Sequence, residues 1–422
     1  MRSGSGPRHA RRPVSSTLRA VYLPRTADAA AFAMTTYGIP LLVLATTHSA
    51  ALTGLAFALE WIPRLSAFAL AGAMVDRYGT TRVLRYASVA RALVALAAAL
   101  ALPAHSTGPG ATATVMVLAA VTGVLTEFSY IAAETAGAAA SREAGDGAHR
   151  VQTVLLGIDQ VATLAGPALA ALLLQHTGAF GMLATLACFS LAAAVLAPRR
   201  LHQPAEEPAS VMTGLRAGWE TLRSLPALAW LVTGMTLASL GVGLMQAAAP
   251  VIVVQQLGHS SASVGLIWSA AALASLLAIA VCRRAIDRYG LWAVGATSAA
   301  LVAGAGLAVA AAHTYTAYLI LIAVLMAGEG GMSVVLRTLR SHLIPPDVFG
   351  ATLGLTILIF LLPFPLAGLL VALTPAPALT SVATACAVIQ ALGLTLTFAR
   401  LRTLPGPHTA KKGRRSGAAL CG

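Results

Sequence analysis

The chain has no asparagine at all, only 14 Asp and Glu, and a charged fraction of 10% in 422 residues. A soluble domain carries roughly 25% charged residues, so a water-soluble protein of this length could not cover its surface with so few. The lack of asparagine, with little glutamine inside the apolar runs, argues against a sugar site, which needs many converging amide and hydroxyl groups. The four cysteines, Cys188, Cys282, Cys386 and Cys421, share no metal-ligand spacing and none falls in an expected outside loop, so structural disulfides are not expected. No nucleophile–base pair, metal cluster or phosphate-binding loop is present, and the reading is therefore not an enzyme, with no cofactor and no metal. The N-terminus lacks the cleavage site of a secretory signal, and Arg11-Arg12 lacks the remainder of a twin-arginine signal.

What is abundant is apolar sequence, at 58% of the chain. A bilayer crossing takes about 20 apolar residues, and twelve such runs can be counted. The first six lie near 26–48, 53–75, 83–102, 111–135, 151–175 and 178–197. The second six lie near 227–254, 262–282, 291–312, 314–336, 348–373 and 377–399. The expectation is an all-α integral membrane protein. Residues 1–25 form a basic arm, 26–197 and 226–399 two six-helix bundles, 198–225 a linker, and 400–422 a basic tail.

The net charge of +14 raises the question of a nucleic-acid partner. The positions of the cations answer it. All but two of the 28 Lys and Arg fall on the arm, in alternate connections or on the tail, and the intervening connections contain none. That alternation is the positive-inside pattern; it places both termini in the cytoplasm and the protein in the cell membrane. A nucleic-acid surface would instead cluster basic and aromatic residues on one face, so no nucleic acid is expected. Within the linker, Val211, Leu215, Trp219 and Leu222 recur at helical spacing opposite Arg216, Glu220 and Arg223, as in a short amphipathic helix at the lipid surface.

The chain also repeats itself. Asp76-Arg77-Tyr78-Gly79 recurs as Asp287-Arg288-Tyr289-Gly290, 211 residues later in a chain of 422. A charged turn at the same place in two apolar halves is the mark of a duplicated transporter.

These residues carry a family resemblance. Gly72, Asp76, Arg77, Gly79 and Arg82 stand at the spacing of the major facilitator superfamily signature between helices 2 and 3. The second copy, with Asp287, Arg288 and Gly290, lacks the leading Gly and the distal Arg. Two stretches resemble the bacterial branch that includes macrolide-efflux pumps and the enterobactin exporter. They are Gly214-Leu215-Arg216-Ala217-Gly218-Trp219, followed by Leu225-Pro226, and Leu343-Ile344-Pro345-Pro346-Asp347 before Gly350. Gly166-Pro167 is what remains of the span-5 signature of drug antiporters, with Thr153, Ala162, Ala170 and Ala171 where that pattern has glycine. The resemblance implies twelve helices in two pseudo-symmetric bundles, alternating access, and a helix-5 hinge at Gly166 and Pro167. It further implies that the repeated turn latches the cytoplasmic side shut, Asp76 meeting the start of span 11 near Pro345, Pro346 and Asp347.

Ionisable groups inside spans are costly, roughly 2.5–3.5 kcal/mol each at mid-membrane, and so point to a partner or a task. The candidates are Asp28, Glu60, Arg64, Arg91, Glu127, Glu134, Asp159 and Glu329. Glu60 and Arg64, one turn apart, are expected to form an ion pair. Arg91 is expected either to snorkel to the interface or to pair with an acid such as Glu134, and Asp28 to be solvated near the interface. Because removal from water disfavours the charged form of a carboxyl, Glu127, Asp159 and Glu329, with Glu134, are the expected proton-coupling groups.

Phe32, Trp61, Phe128, Met235, Met245, Trp268 and Met326 offer an apolar, adaptable lining. The resulting expectation is a monomeric secondary transporter with a small organic substrate, protons and membrane lipid as partners, exporting a hydrophobic or amphipathic compound by proton antiport. The alternatives are a lipid or lysophospholipid flippase of the same fold and a non-transporting membrane sensor.

Overall fold

A computed structural model of the chain describes residues 18–104, 108–144, 148–198, 211–344 and 348–403. Every regular element among them is a helix. The first half comprises α1 (Leu23–Thr47), α2 (Ala50–Tyr78), α3 (Thr80–Ala104), α4 (Pro109–Ala144) and α5 (Ala148–Leu196). The linker helix α6 (Val211–Ser224) follows. The second half holds α7 (Pro226–Pro250), α8 (Ser261–Tyr289), α9 (Leu291–Ala310), α10 (Tyr315–Leu343), α11 (Phe349–Leu361), α12 (Pro363–Leu373) and α13 (Leu379–Thr403).

Among the described residues, ten helical stretches are long and apolar enough to cross a membrane. Two further crossings raise that number to twelve: α2, whose 29 residues are ample to span, and a second pass within α5. In α5, Gly178 adopts φ 68° and ψ −168°, outside the helical region. Asp159, before it, binds Arg25 at the start of α1, while Ala197, just past the helix's end, accepts a hydrogen bond from Arg85 near the start of α3. Both ends of α5 therefore lie at one end of the molecule, and the chain reverses at Gly178.

Prolines act unequally. Pro40, Pro63 and Pro167 sit inside unbroken helices. Pro250 marks the change from α-helix to a π-helix over Val251–Gln256, and Pro363 separates α11 from α12. A buried proline removes one backbone hydrogen bond, which neighbouring helices can absorb.

The two copies of the repeated turn are superimposable in detail. Gly79 has φ 85° and ψ 149°, and Gly290 has φ 83° and ψ 162°, a region closed to side-chain-bearing residues. Each glycine N–H donates to the carbonyl four residues back, Val75 at 2.8 Å and Ile286 at 2.9 Å. The arginine of each copy lies over the adjacent tyrosine, 5.3 Å from the ring centre in both.

Packing repeats as well. α2 lies along α4 as α8 lies along α10, and α3 packs on α4 as α9 packs on α10. The halves meet at two seams, α2 with α12 and α5 with α8, which the duplication interchanges. Three apolar clusters give the molecule its polarity. The largest, with Phe57, Trp61, Met182, Trp268, Ala367 and Val371, draws on both halves. A cluster around Val75, Val83 and Ala197 belongs to the first half alone, and one around Val294, Met332 and Phe398 to the second alone. The shared core lies toward the connections that lack Lys and Arg, here termed the neutral end. The separate cores lie toward the arginine-bearing connections, the basic end. The halves are thus fused at the neutral end and packed as two bodies at the basic end.

The linker helix differs from the expected surface helix. Leu222 is buried and Leu215 partly buried in the second half's core, against α11, whereas Trp219 is exposed beneath Arg223. Leu215 and Leu222 of its apolar stripe thus meet protein, while Trp219 stays exposed. The 1–17 part of the arm, residues 199–210 of the linker and the tail from 404 lie outside the described residues.

Candidate functional site

Three arginines penetrate the first half, and each is held by acids from other helices. Arg25, expected on the basic arm, is buried at the start of α1. Its Nε and Nη2 donate to the two oxygens of Asp159 on α5, at 2.8 and 2.7 Å. Nη2 also donates to Glu134 on α4 at 2.5 Å, and the guanidinium lies 5.2 Å from the Tyr130 ring. Bidentate pairing is among the strongest contacts available to a carboxylate. Arg25 itself is almost wholly enclosed, but the side chains of Glu134 and Asp159 are 48% and 32% exposed.

Arg91 corrects two expectations. It pairs with Asp28 at 2.8 Å rather than with Glu134, and Asp28 is buried at 1% exposure rather than solvated. The other nitrogens of Arg91 donate to Ser129 and Ser190, each at 2.9 Å, so α1, α3, α4 and α5 are pinned by one guanidinium. Its charge is matched and all three kinds of guanidinium nitrogen are engaged, the arrangement of a structural ion pair.

Arg64 overturns the expected pair with Glu60. Its Nε donates to Glu127 on α4 at 2.6 Å. The reason lies in the rings that clamp it: the guanidinium is 4.7 Å from Phe32 and 4.3 Å from Trp61, which turns its Nε toward α4. Trp61 in turn stacks on Phe364 of the second half at 4.3 Å. Glu60 is left wholly buried, with neither carboxyl oxygen hydrogen-bonded, and Arg64 retains an unpartnered Nη1.

The second half is simpler. Glu329, on α10, is partly buried with one oxygen enclosed and unpartnered, and it has no basic partner among the described residues. Of the apolar side chains expected to line a cavity, Trp61 and Trp268 lie at the inter-half seam, Trp268 with its ring 5.4 Å from Tyr37. Phe32 covers Arg64 and Tyr130. Met245, buried beside Tyr318, lines a cavity of about 210 Å³ with Ile252, Gln256, Val309 and His313, whereas Phe128 and Met235 are core residues of single halves and Met326 is packed at the edge of the core.

Gly166 sits against Ala33, where an added Cβ would come within 2.4 Å, and the Pro167 carbonyl packs where a Cβ on Gly265 would lie. These two residues form a close-packing point in a continuous helix; the break in α5 falls eleven residues later, at Gly178. Arg77, Arg82, Asp287 and Arg288 are exposed at the basic end, and a Cβ on Gly72 would meet nothing within 4 Å. Residues 345–347, expected to receive the latch, lie outside the described residues.

Two helical bundles with duplicated turns, joined at two interchangeable seams and with charged groups buried inside the first of them, have the architecture of a membrane transporter. The family model of the Major Facilitator Superfamily matches residues 26–368, and the chain belongs to that superfamily. No curated protein matches the sequence. Among solved structures, a bacterial homologue of the iron transporter ferroportin in its inward-facing state is similar, with a TM-score of 0.70 at 15% identity over 92% of this chain and 98% of that one. The nucleoside transporter NupG is similar at a TM-score of 0.69 and 13% identity, over 89% of this chain and 99% of that one. A D-xylose–proton symporter follows at 0.68 and 14%, over 93% and 98%. At such identities the likeness is one of fold.

Proposed function

We propose that this transporter exports a small hydrophobic or amphipathic compound across the cell membrane by proton antiport, working as a monomer. The observation that carries the reading is the single core shared at the neutral end, set against two separate cores at the basic end. With the basic connections cytoplasmic, this conformation opens inward, ready to load a compound from the cell. The reciprocal state requires the basic ends to meet, and there the turn residues Asp76, Arg77, Gly79, Arg82, Asp287, Arg288 and Gly290 act as the latch. A carboxylate at a helix N-terminus gains about 0.3–1 kcal/mol, enough to bias two states without freezing either. Gly72, unobstructed here, is then a point of close approach.

Coupling falls to acids that water reaches in one state and loses in the other. Asp159 and Glu134 compete for Arg25, so protonating either leaves the guanidinium held by the other. Glu329 has no basic partner among the described residues and takes part as a neutral or charged acid according to the state of the transporter. Glu127 takes part through Arg64. Inward proton movement supplies about 2.3 kcal/mol per 100 mV. The aromatic seam of Phe32, Trp61, Phe364, Tyr37 and Trp268 supplies stacking surface for an apolar or aromatic ligand. The resemblance to bacterial exporters at Gly214–Trp219 and Leu343–Asp347 points the same way.

The test uses proteoliposomes and a panel of fluorescent amphipaths, ethidium among them, with an imposed pH gradient. Wild type is expected to move at least one probe faster with the gradient than without it. Asp159→Asn or Glu329→Gln is expected to abolish the acceleration while leaving the protein folded. Movement indifferent to the gradient and to both variants would refute antiport and favour a flippase or facilitator.

A further inference from the structure

Among the described residues of the first half, three buried guanidiniums, Arg25, Arg64 and Arg91, are met by five carboxyls, of which Asp28, Glu60 and Glu127 are buried and Glu134 and Asp159 part-exposed. Asp28 has Arg91 to itself, and Glu134 and Asp159 share Arg25. The remaining surplus acid is Glu60, which has no access to water and no hydrogen bond. A bare carboxylate cannot persist there without heavy desolvation cost. One helical turn away, Arg64 has an unused, buried Nη1, although its Nε is held by Glu127. Unused acceptors and an unused donor thus coexist within the reach of one arginine side chain.

We infer that Glu60 and Glu127 are a carboxyl pair sharing the single guanidinium of Arg64, and that this pair carries the transported proton. The inference rests on the antiport reading and deepens it by naming the carrier. In the conformation described, Arg64 binds Glu127 and the proton resides on Glu60 as the neutral acid. Swinging Arg64 by one turn pairs it with Glu60, which releases its proton; Glu127, losing its partner, takes one up. One O–H bond breaks and one forms, and the net charge of the three groups is unchanged. The transfer moves the proton from α2 to α4, and its release from Glu127 restores the Arg64–Glu127 pair.

Among the described residues, the charged group that faces Glu60 from its own helix is Arg64, and on α4 Glu127 is held by that same arginine. The helices α7, α11 and α12, which contact α2 from the second half, contain no titratable residue. On α1, Arg25 and Asp28 are bound elsewhere and Tyr37 stacks on Trp268; on α3, Arg91 is bound to Asp28. The link to conformation is Trp61, whose ring lies between Arg64 and Phe364 of the other half. Parting of the α2–α12 seam removes Phe364 and frees the cation's aromatic clamp, so the state of the seam governs which carboxyl Arg64 holds.

The test is infrared difference spectroscopy of the purified full-length protein across neutral pH, read at the C=O stretch of protonated carboxyls, alongside the ethidium assay. Wild type is expected to show a protonated-carboxyl band that is lost in Glu60→Gln and kept in Glu329→Gln. Glu60→Gln, a neutral isostere, is further expected to move ethidium down its own gradient yet lose acceleration by the pH gradient. Arg64→Met, which leaves both acids without a cation, is expected to enlarge the band. A band that survives in Glu60→Gln, or fails to grow in Arg64→Met, overturns the inference whatever transport does. A band lost in Glu60→Gln, with no gradient dependence in wild type, keeps the shared proton but refutes antiport.

Discussion

Replacing Asp28 with Asn is expected to destabilise the protein by roughly 3–5 kcal/mol, the effect of stranding one member of a buried ion pair. Arg91 is wholly enclosed and, among the described residues, Asp28 is its only anionic partner; Ser129 and Ser190 satisfy nitrogens but cannot balance the charge. The variant should unfold in detergent at a clearly lower temperature than the parent. Adding Arg91→Met should recover most of the loss, because the double variant leaves no unmatched charge. The exposed pair Arg216–Glu220, with side chains 83% and 64% exposed, is the internal comparison, and cutting it should change little. Thermal unfolding of the single, double and control variants decides the matter. A single variant as stable as the parent would show that Arg91 finds another counter-charge and that Asp28 is not its anchor.

The second large effect concerns the seam. A Cβ on Gly54 would lie 2.4 Å from the backbone nitrogen of Ala372 and 2.6 Å from the carbonyl oxygen of Gly368; a Cβ on Gly368 would meet the Ala58 nitrogen at 2.6 Å. These are backbone atoms and cannot move aside like a side-chain end. Overpacking typically costs about 1–3 kcal/mol, and two transport states typically differ by a few kcal/mol. Gly54→Leu is therefore expected to hold the neutral end open, to abolish transport, and to leave the single-half cores intact. A cysteine at Ala367, fully buried in the shared core, should change from inert to rapidly alkylated by a membrane-impermeant thiol reagent added on the neutral side. Unchanged alkylation with full transport would mean that this contact does not close the gate.

How far the sequence reaches depends on whether a feature is local. The repeated turn was legible because a left-handed glycine after a charged helix end is written in four consecutive residues. The twelve crossings were legible because each needs only a run of apolar residues; the reversal at Gly178 fell where the runs at 151–175 and 178–197 meet. Ion-pair partners were not legible, because they depend on how neighbouring helices are rotated. The one-turn spacing of Glu60 and Arg64 is a true local signal, yet the clamp of Phe32 and Trp61 aims the guanidinium at Glu127. The first apolar run begins at residue 26, so run length alone puts Asp28 at the solvated interface. The chain is in fact helical from Leu18, so Arg25 and Asp28 are both inside the bundle. The linker's amphipathic spacing likewise could not say whether its apolar stripe meets lipid or α11.

The central claim is that the two halves rock, so that one end closes as the other opens. The direct measurement is pulsed electron spin resonance on two pairs of labels in a cysteine-free background, comparing the parent with Gly54→Leu. One pair, at Tyr78 and Tyr289, reports the basic end, and the other, at Ala51 and Leu373, the neutral end; all four positions are exposed. The account predicts that Gly54→Leu shortens the basic-end distance and lengthens the neutral-end distance together. If the two distances change in the same direction, or the basic end stays fixed while the neutral end opens, rocking is contradicted.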